Sequence, residues 1–244
     1  MTVEDMNGNT TKSIGARLGE GVFCIAYLLY VIIVACIMLN KCGSVSEGDM
    51  ASVEKLRYIF GFMLAFLLGF GDAFHLIPRI VFNLKGSLQR KNLLFGIGNL
   101  MSSITMTVFY NILIGLCDSL EYRGEVYNLW AERSILVLTV IRIVLLLCPQ
   151  NKWHTGEGDR VWAVIRNVPF AAIGVITVIG IIRVCGNACN YPSVFYIQIA
   201  IAVVLSFLFY LPVAIAAKEK PKLGMLMIPK TMCYMWMLGV ICFW

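Results

Sequence analysis

Seven long apolar runs constrain the fold of this chain more than any other feature. They lie near residues 21–41, 58–79, 93–117, 129–149, 161–184, 193–217 and 225–244. A helix that crosses a bilayer needs roughly 20 mostly apolar residues, and each run comes close to that length. The segments between the runs are short and leave no room for a separate soluble domain. The sequence therefore predicts an all-α, polytopic membrane protein, with residues 1–244 forming one bundle of seven transmembrane helices.

The composition excludes a soluble globular domain. Hydrophobic residues make up 59% of the chain, charged residues only 14%, and the mean hydropathy is +0.81. Soluble domains carry about 25% charged residues, so this chain cannot cover a surface exposed to water. A polar N-terminal segment, residues 1–20, precedes the first run. That run is longer than the roughly 7–15 apolar residues of a cleaved signal peptide, so we expect it to remain as the first helix.

The basic residues predict an orientation in the membrane. The N-terminal segment and the loops after the second, fourth and sixth runs hold more Lys and Arg than the opposite loops. Basic residues flanking membrane helices favour the cytoplasmic side, which predicts an N-terminus inside and a C-terminus outside. This distribution accounts for the net charge of +6 without any nucleic-acid partner. We expect an integral protein of a bacterial plasma membrane.

The cysteines and histidines do not suggest a metal site. None of the nine cysteines forms a Cys-x-x-Cys pair, and the chain has only two histidines. Cys185 and Cys189 share one predicted loop, where a disulfide or no bond at all is expected. The sequence therefore predicts no metal and no cofactor.

An ionisable pair, Asp72 and His75, interrupts the second apolar run. Asp72 is the only acidic residue deep inside a predicted span. A carboxylate at the centre of a membrane helix costs about 2.5–3.5 kcal/mol on insertion scales, so such residues usually serve a function. His75 lies on the same helix face, because residues i and i+3 are neighbours. We therefore treat Asp72 and His75 as candidate functional residues.

Polar residues of other helices are predicted to lie at the depth of Asp72. With 1.5 Å of rise per residue, they fall about 8–10 Å from the inner ends of their helices. They are Asn99, Arg142, Arg166, Asn167, Tyr210 and Lys230. Three cations against one carboxylate leave spare positive charge, and Arg offers bidentate contacts to phosphate. The arrangement predicts a pocket for an anionic phosphate group.

Simpler interpretations of these residues are also open. Arg142 and Asp72 could neutralise each other as a buried pair, while Arg166 and Lys230 could extend to the membrane interface. A polar stripe on the third predicted helix faces the same region and comprises Asn99, Ser102, Ser103 and Tyr110. Such a stripe could line the pocket or only form hydrogen bonds to neighbouring helices.

The segment around Asp72 resembles a known family. Leu67–Arg79 reads LLGFGDAFHLIPR, a basic loop follows, and Ile97-Gly98-Asn99 leads through Ser103 to Tyr110. This pattern resembles the Gly-Asp helix and the following helix of the YhhN-like lysoplasmalogenases, over roughly residues 60–115. The resemblance extends weakly to residues 228–230.

The chain departs from this family in three respects, and we treat it as a divergent member. Ile104 stands where the family has a histidine. The segment 204–210 lacks the second acid of the family's penultimate helix. The chain also has seven predicted helices, whereas the family typically has eight.

The resemblance implies hydrolysis of the vinyl-ether bond of a lysophospholipid. Asp72 would protonate the enol ether and His75 would shuttle a proton or orient the acid. The substrate, a lysophospholipid or another anionic lipid, would be held by the polar residues named above: Asn99, Ser103, Tyr110, Arg142, Arg166 and Lys230.

Two other functions remain open from the sequence. The same polar pocket could serve a non-catalytic lipid- or solute-binding protein or a transporter, although no internal repeat typical of transporters is visible. A retinal protein with Lys230 as the Schiff-base residue is a third interpretation, weakened by the position of Lys230 near the start of the last run.

Overall fold

The computed structural model describes residues 14–46, 48, 50–85, 91–121, 129–155, 160–216 and 221–244. Over these residues the regular structure is entirely helical. The α-helices are α1 Ile14–Ser44, α2 Ala51–Lys85, α3 Lys91–Leu120, α4 Leu129–Leu147, α5 Arg160–Gly186, α6 Ser193–Ala216 and α7 Met227–Phe243. Short 3-10 segments, Pro149–Asn151 and Pro221–Leu226, follow α4 and precede α7.

Six of these helices are long and apolar enough to cross a membrane. The exception is α4, which has 19 residues and carries Glu132, Arg133 and Arg142. The predicted all-helical membrane protein is confirmed to that extent. A seventh crossing, by α4, and the orientation of the bundle stay predictions.

The N-terminal boundary differs from the sequence-based prediction. Residues 14–20, assigned there to a polar segment, form the first turns of α1. A helix can continue beyond its apolar run when its polar side chains find partners on a neighbouring helix. Glu20 does so, because its Oε1 lies 3.3 Å from Nη1 of Arg79 on α2.

The helices form a ring in chain order, closed by contacts of α7 with α1 and α2. α3 also packs against α5, so its side chains contribute heavily to the interior. Aromatic residues fill this core, including Tyr27, Phe109, Tyr110 and Phe170. Many large apolar side chains face outward along the other helices, as expected for a bundle surrounded by lipid.

α2 and α3 approach each other closely beside the ionisable pair. A Cβ at Gly98 would lie 2.4 Å from the Phe74 carbonyl oxygen and 2.8 Å from the Cα of His75. Pro78 lies inside α2 and has no N–H to donate to that carbonyl. A Cβ at Gly71 would likewise overlap the Thr105 side chain. The two glycines therefore bring α3 against the segment that holds Asp72 and His75.

Substitution of Gly98 by Ala is expected to lower the free energy of unfolding by roughly 1–3 kcal/mol, the usual cost of overpacking. The obstructing atoms belong to the backbone of α2, so the helices must separate. Thermal unfolding in detergent measures the effect. Gly115→Ala in the same helix is the control, since its Cβ would meet only Phe60, at 3.8 Å. A Gly98→Ala protein as stable as Gly115→Ala would contradict the close approach.

A buried carboxylate organises the opposite end of the bundle. Glu121 is almost fully buried at the end of α3 and accepts hydrogen bonds from the backbone N–H groups of Cys189, Asn190 and Tyr191 at 2.7–2.9 Å. The hydroxyl of Tyr196 donates to it at 2.7 Å. These bonds hold the α5–α6 loop. Cys185 and Cys189, for which a disulfide was left open, are both free thiols here.

Candidate functional site

Two adjoining cavities lie at the end of the bundle where α1 begins and α2 ends. The first, the carboxylate chamber, has a volume of about 380 Å³, and its polar lining includes Glu20, Tyr27, Asp72, Arg79 and Tyr234. The second, the cationic chamber, has a volume of about 210 Å³, and its polar lining includes Asn99, Ser103, Arg142, Trp153, Arg166, Asn167 and Tyr210. Five residues line both chambers and form a shared wall: His75, Ser102, Met106, Met227 and Lys230.

Asp72 is held by hydroxyl groups from two other helices. The Tyr27 hydroxyl donates to its Oδ2 at 2.8 Å, and the Ser102 hydroxyl donates to its Oδ1 at 2.8 Å. These two hydrogen bonds fix the orientation of the Asp72 side chain. The possibility that Arg142 neutralises Asp72 directly is not realised, because no ion pair joins them within the described chain; the Arg142 guanidinium lies over Phe170 instead.

His75 occupies the shared wall without a hydrogen-bond partner. Its side chain is 9% exposed, and neither Nδ1 nor Nε2 has a partner among the described residues. Buried polar atoms in proteins are nearly always paired with protein or water. An imidazole that faces two cavities with both nitrogens free is therefore placed to contact whatever fills them.

Arg142 supplies an unpaired charge to the cationic chamber. It is only 1% exposed, its guanidinium lies 3.4 Å from the centre of the Phe170 ring, and its Nε and Nη1 have no hydrogen-bond partner in the described part of the chain. A buried cation with free donors is costly unless a ligand or water satisfies it.

Two more cations line the same chamber. Arg166 donates from Nη1 to Oδ1 of Asn151 at 2.7 Å and lies 4.6 Å from the Trp153 ring centre. Lys230 is 6% exposed, with its ammonium 4.6 Å from the centre of the Tyr210 ring. Among the described residues, no Asp or Glu side chain lines this chamber. The chamber is therefore a concentrated positive site.

The other predicted contact residues take different places. Asn99 and Ser103 line the cationic chamber, although the Ser103 hydroxyl donates to the Asn99 carbonyl of its own helix at 2.7 Å. Tyr110 lines neither chamber. Its hydroxyl lies 3.0 Å from that of Tyr234 and 3.2 Å from that of Ser206, so it braces Tyr234 and does not face a ligand.

An ion pair in the carboxylate chamber, between Glu20 and Arg79, was not predicted from the sequence. Glu20 and Arg79 lie seven residues from Tyr27 and Asp72 on the antiparallel helices α1 and α2. Seven residues correspond to roughly 10 Å of helix. The Glu20–Arg79 and Tyr27–Asp72 contacts therefore join α1 to α2 at two different depths. This matched spacing is the sequence signal that could have revealed Glu20 as a second carboxylate of the chamber.

Comparison with known proteins adds no identification. No protein-family model, curated protein or solved structure matches this chain. The resemblance to the YhhN-like lysoplasmalogenases therefore stays a prediction. In the described residues, no group of three or more His, Cys, Asp or Glu side chains is arranged to hold a metal ion.

Proposed function

We propose that this chain is an integral membrane hydrolase that cleaves the vinyl-ether bond of a lysophospholipid, as the resemblance to the lysoplasmalogenases implies. The observation that carries the proposal is the shared wall. There the imidazole of His75, which has no hydrogen-bond partner in the part of the chain that the structure describes, separates a chamber that holds a fixed carboxylate from a chamber lined by three cations.

The chamber linings suggest how such a substrate lies. The carboxylate chamber is mainly apolar, with Phe23, Leu76, Met225 and Ile228 among its lining, which suits an alkenyl chain. The cationic chamber suits a phosphate, because guanidinium groups form strong charge-assisted hydrogen bonds to phosphate oxygens. The vinyl-ether bond lies between chain and phosphate, and would therefore rest against the shared wall, beside Asp72 and His75.

Asp72 and His75 can then divide the chemistry. Asp72 donates a proton to the alkene carbon distant from the ether oxygen, which leaves an oxocarbenium ion. His75, whose ring nitrogens have no hydrogen-bond partner among the described residues, takes a proton from the water that attacks this ion. The hemiacetal then breaks down: His75 returns its proton to the glycerol oxygen, Asp72 takes the hemiacetal proton, and a fatty aldehyde leaves.

A non-catalytic anionic-lipid-binding protein is the second candidate. The observation that favours it is that both carboxylate oxygens of Asp72 already accept hydrogen bonds. In that case Asp72 only balances the charge of the nearby cations, and the chambers hold a lipid without changing it.

An assay of aldehyde release separates the two candidates. Purified protein in detergent is incubated with a 1-alkenyl lysophospholipid and with its saturated 1-alkyl analogue, and products are measured by mass spectrometry. The hydrolase releases fatty aldehyde from the alkenyl lipid alone. Retention of both lipids bound and intact would reject the hydrolase and support the binding protein.

We further propose that all seven helices cross a bacterial plasma membrane, with the N-terminus inside and the C-terminus outside. The basic loops support this orientation. Cys189, exposed in the α5–α6 loop, should then react with an impermeant maleimide added to intact cells, whereas Cys148 at the end of α4 should react only after lysis. Serine variants of each cysteine assign the label. Labelling of Cys148 from outside would contradict this topology.

A further inference from the structure

We infer that the cationic chamber recognises a phosphate monoester and rejects a headgroup that carries an ammonium group such as choline or ethanolamine. The assignment of the phosphate to a lysolipid rests on the proposed function. The preference for a phosphate monoester follows from the residues of the cationic chamber alone. The ligand class is thus a 1-alkenyl or 1-alkyl glycerol phosphate, or phosphate itself.

The charge of the cationic chamber favours a phosphate monoester. Arg142, Arg166 and Lys230 line it, and no acidic side chain does so among the described residues. A phosphate monoester carries about 1.5 to 2 negative charges at neutral pH, since its second pKa is near 6. A zwitterionic headgroup brings less net negative charge and places a cation among cations.

The aromatic faces of the cationic chamber are already occupied. Quaternary ammonium groups are commonly bound against aromatic faces. The aromatic rings in this chamber are already covered by its own cations. Arg142 lies 3.4 Å from the Phe170 ring centre, Arg166 lies 4.6 Å from that of Trp153, and Lys230 lies 4.6 Å from that of Tyr210.

Neither carboxylate of the carboxylate chamber is free for an ammonium group. Both oxygens of Asp72 accept hydroxyl hydrogen bonds, and Glu20 is paired with Arg79. In contrast, Nε and Nη1 of Arg142 are buried donors without a hydrogen-bond partner among the described residues. The ring nitrogens of His75 also lack a partner there, and an imidazole carries at least one N–H donor. The unmet hydrogen-bonding capacity of the site therefore fits an acceptor-rich anion.

Binding of uncleavable lipids tests the inference separately from hydrolysis. The full chain in neutral detergent is titrated by calorimetry with 1-alkyl glycerol phosphate, with the matching 1-alkyl glycerophosphocholine and with inorganic phosphate. We expect the alkyl phosphate to bind at least tenfold more tightly than the choline lipid, and inorganic phosphate to compete with it weakly. Arg142→Gln should abolish this difference, while Arg133→Gln, an exposed site on the same helix, should preserve it.

The outcomes are distinguishable. Equal or tighter binding of the choline lipid would overturn the inference, whether or not the protein hydrolyses anything. If inorganic phosphate binds as tightly as the alkyl phosphate, the lysolipid chain contributes nothing to binding. That result would reject a lysolipid as the source of the phosphate group. Selective binding of the alkyl phosphate, with no aldehyde formed from the alkenyl phosphate, would support the inference and reject the proposed hydrolysis.

Discussion

Asp72→Asn is expected to lower aldehyde release by about 10²- to 10⁴-fold, the usual contribution of a general acid or base, with little change in lysolipid affinity. The amide has nearly the same shape and can still bond to the Tyr27 and Ser102 hydroxyls, because hydroxyl groups can donate or accept. It cannot supply a proton to the alkene carbon. The rate of aldehyde release and the affinity for the uncleavable 1-alkyl lipid are measured on the same preparation.

Two other variants sharpen this test. Glu54→Gln makes the same charge change near the opposite end of α2, where Glu54 is partly exposed and contacts Tyr58 and Arg57, and it should leave turnover unchanged. Tyr27→Phe removes one of the two donors to Asp72 and should give an intermediate rate. If the Asp72→Asn protein releases aldehyde at the wild-type rate, Asp72 takes no part in the reaction.

Arg142→Met is expected to weaken binding of the anionic lysolipid by about 10²-fold or more, while the ligand-free protein becomes no less stable than wild type. A charge-assisted hydrogen bond contributes about 1.5–3 kcal/mol, and the Arg142 guanidinium has two nitrogens available for such bonds. Without ligand, a buried cation lacking a carboxylate partner is costly, and an apolar residue of similar length removes that cost. Calorimetry gives the affinity, and thermal unfolding in detergent gives the stability.

The combination of weaker binding and retained stability distinguishes a ligand-binding arginine from a structural one. Arg133→Gln, on the exposed face of the same helix, is the matched control and should change neither quantity. If Arg142→Met lowers the melting temperature of the empty protein and leaves the affinity unchanged, then Arg142 stabilises the bundle through its contact with Phe170.

The axial positions of the site residues could be predicted from the sequence. Helical rise is nearly constant, so residue counts from the helix ends predicted that Arg142, Arg166 and Lys230 share one level. In the structure all three line the cationic chamber. Residue counts along a helix could not predict in which direction around the helix axis a side chain points. Tyr110 was placed on the polar stripe with Ser103, yet its hydroxyl is directed to Ser206 and Tyr234.

The partners of Asp72 were harder to predict because they depend on contacts between helices. Tyr27 lies in a run that is otherwise apolar, and nothing local to α1 marks it as a donor to α2. Ser102 was one of several polar residues on α3, and only the packing at Gly71 and Gly98 selects it. Glu20 was assigned to a polar tail because apolar runs define where a helix enters lipid and do not define where it begins.

The mass of the aldehyde formed in D₂O tests the central claim most directly. Protonation of the vinyl ether at carbon by solvent-exchanged Asp72, followed by attack of water activated by His75, places one deuterium on the carbon next to the aldehyde group. Wild-type protein given a 1-alkenyl glycerol phosphate is expected to release this singly deuterated aldehyde, and Asp72→Asn is expected to release almost none. Absence of aldehyde from the wild type, or aldehyde without deuterium, would contradict the account.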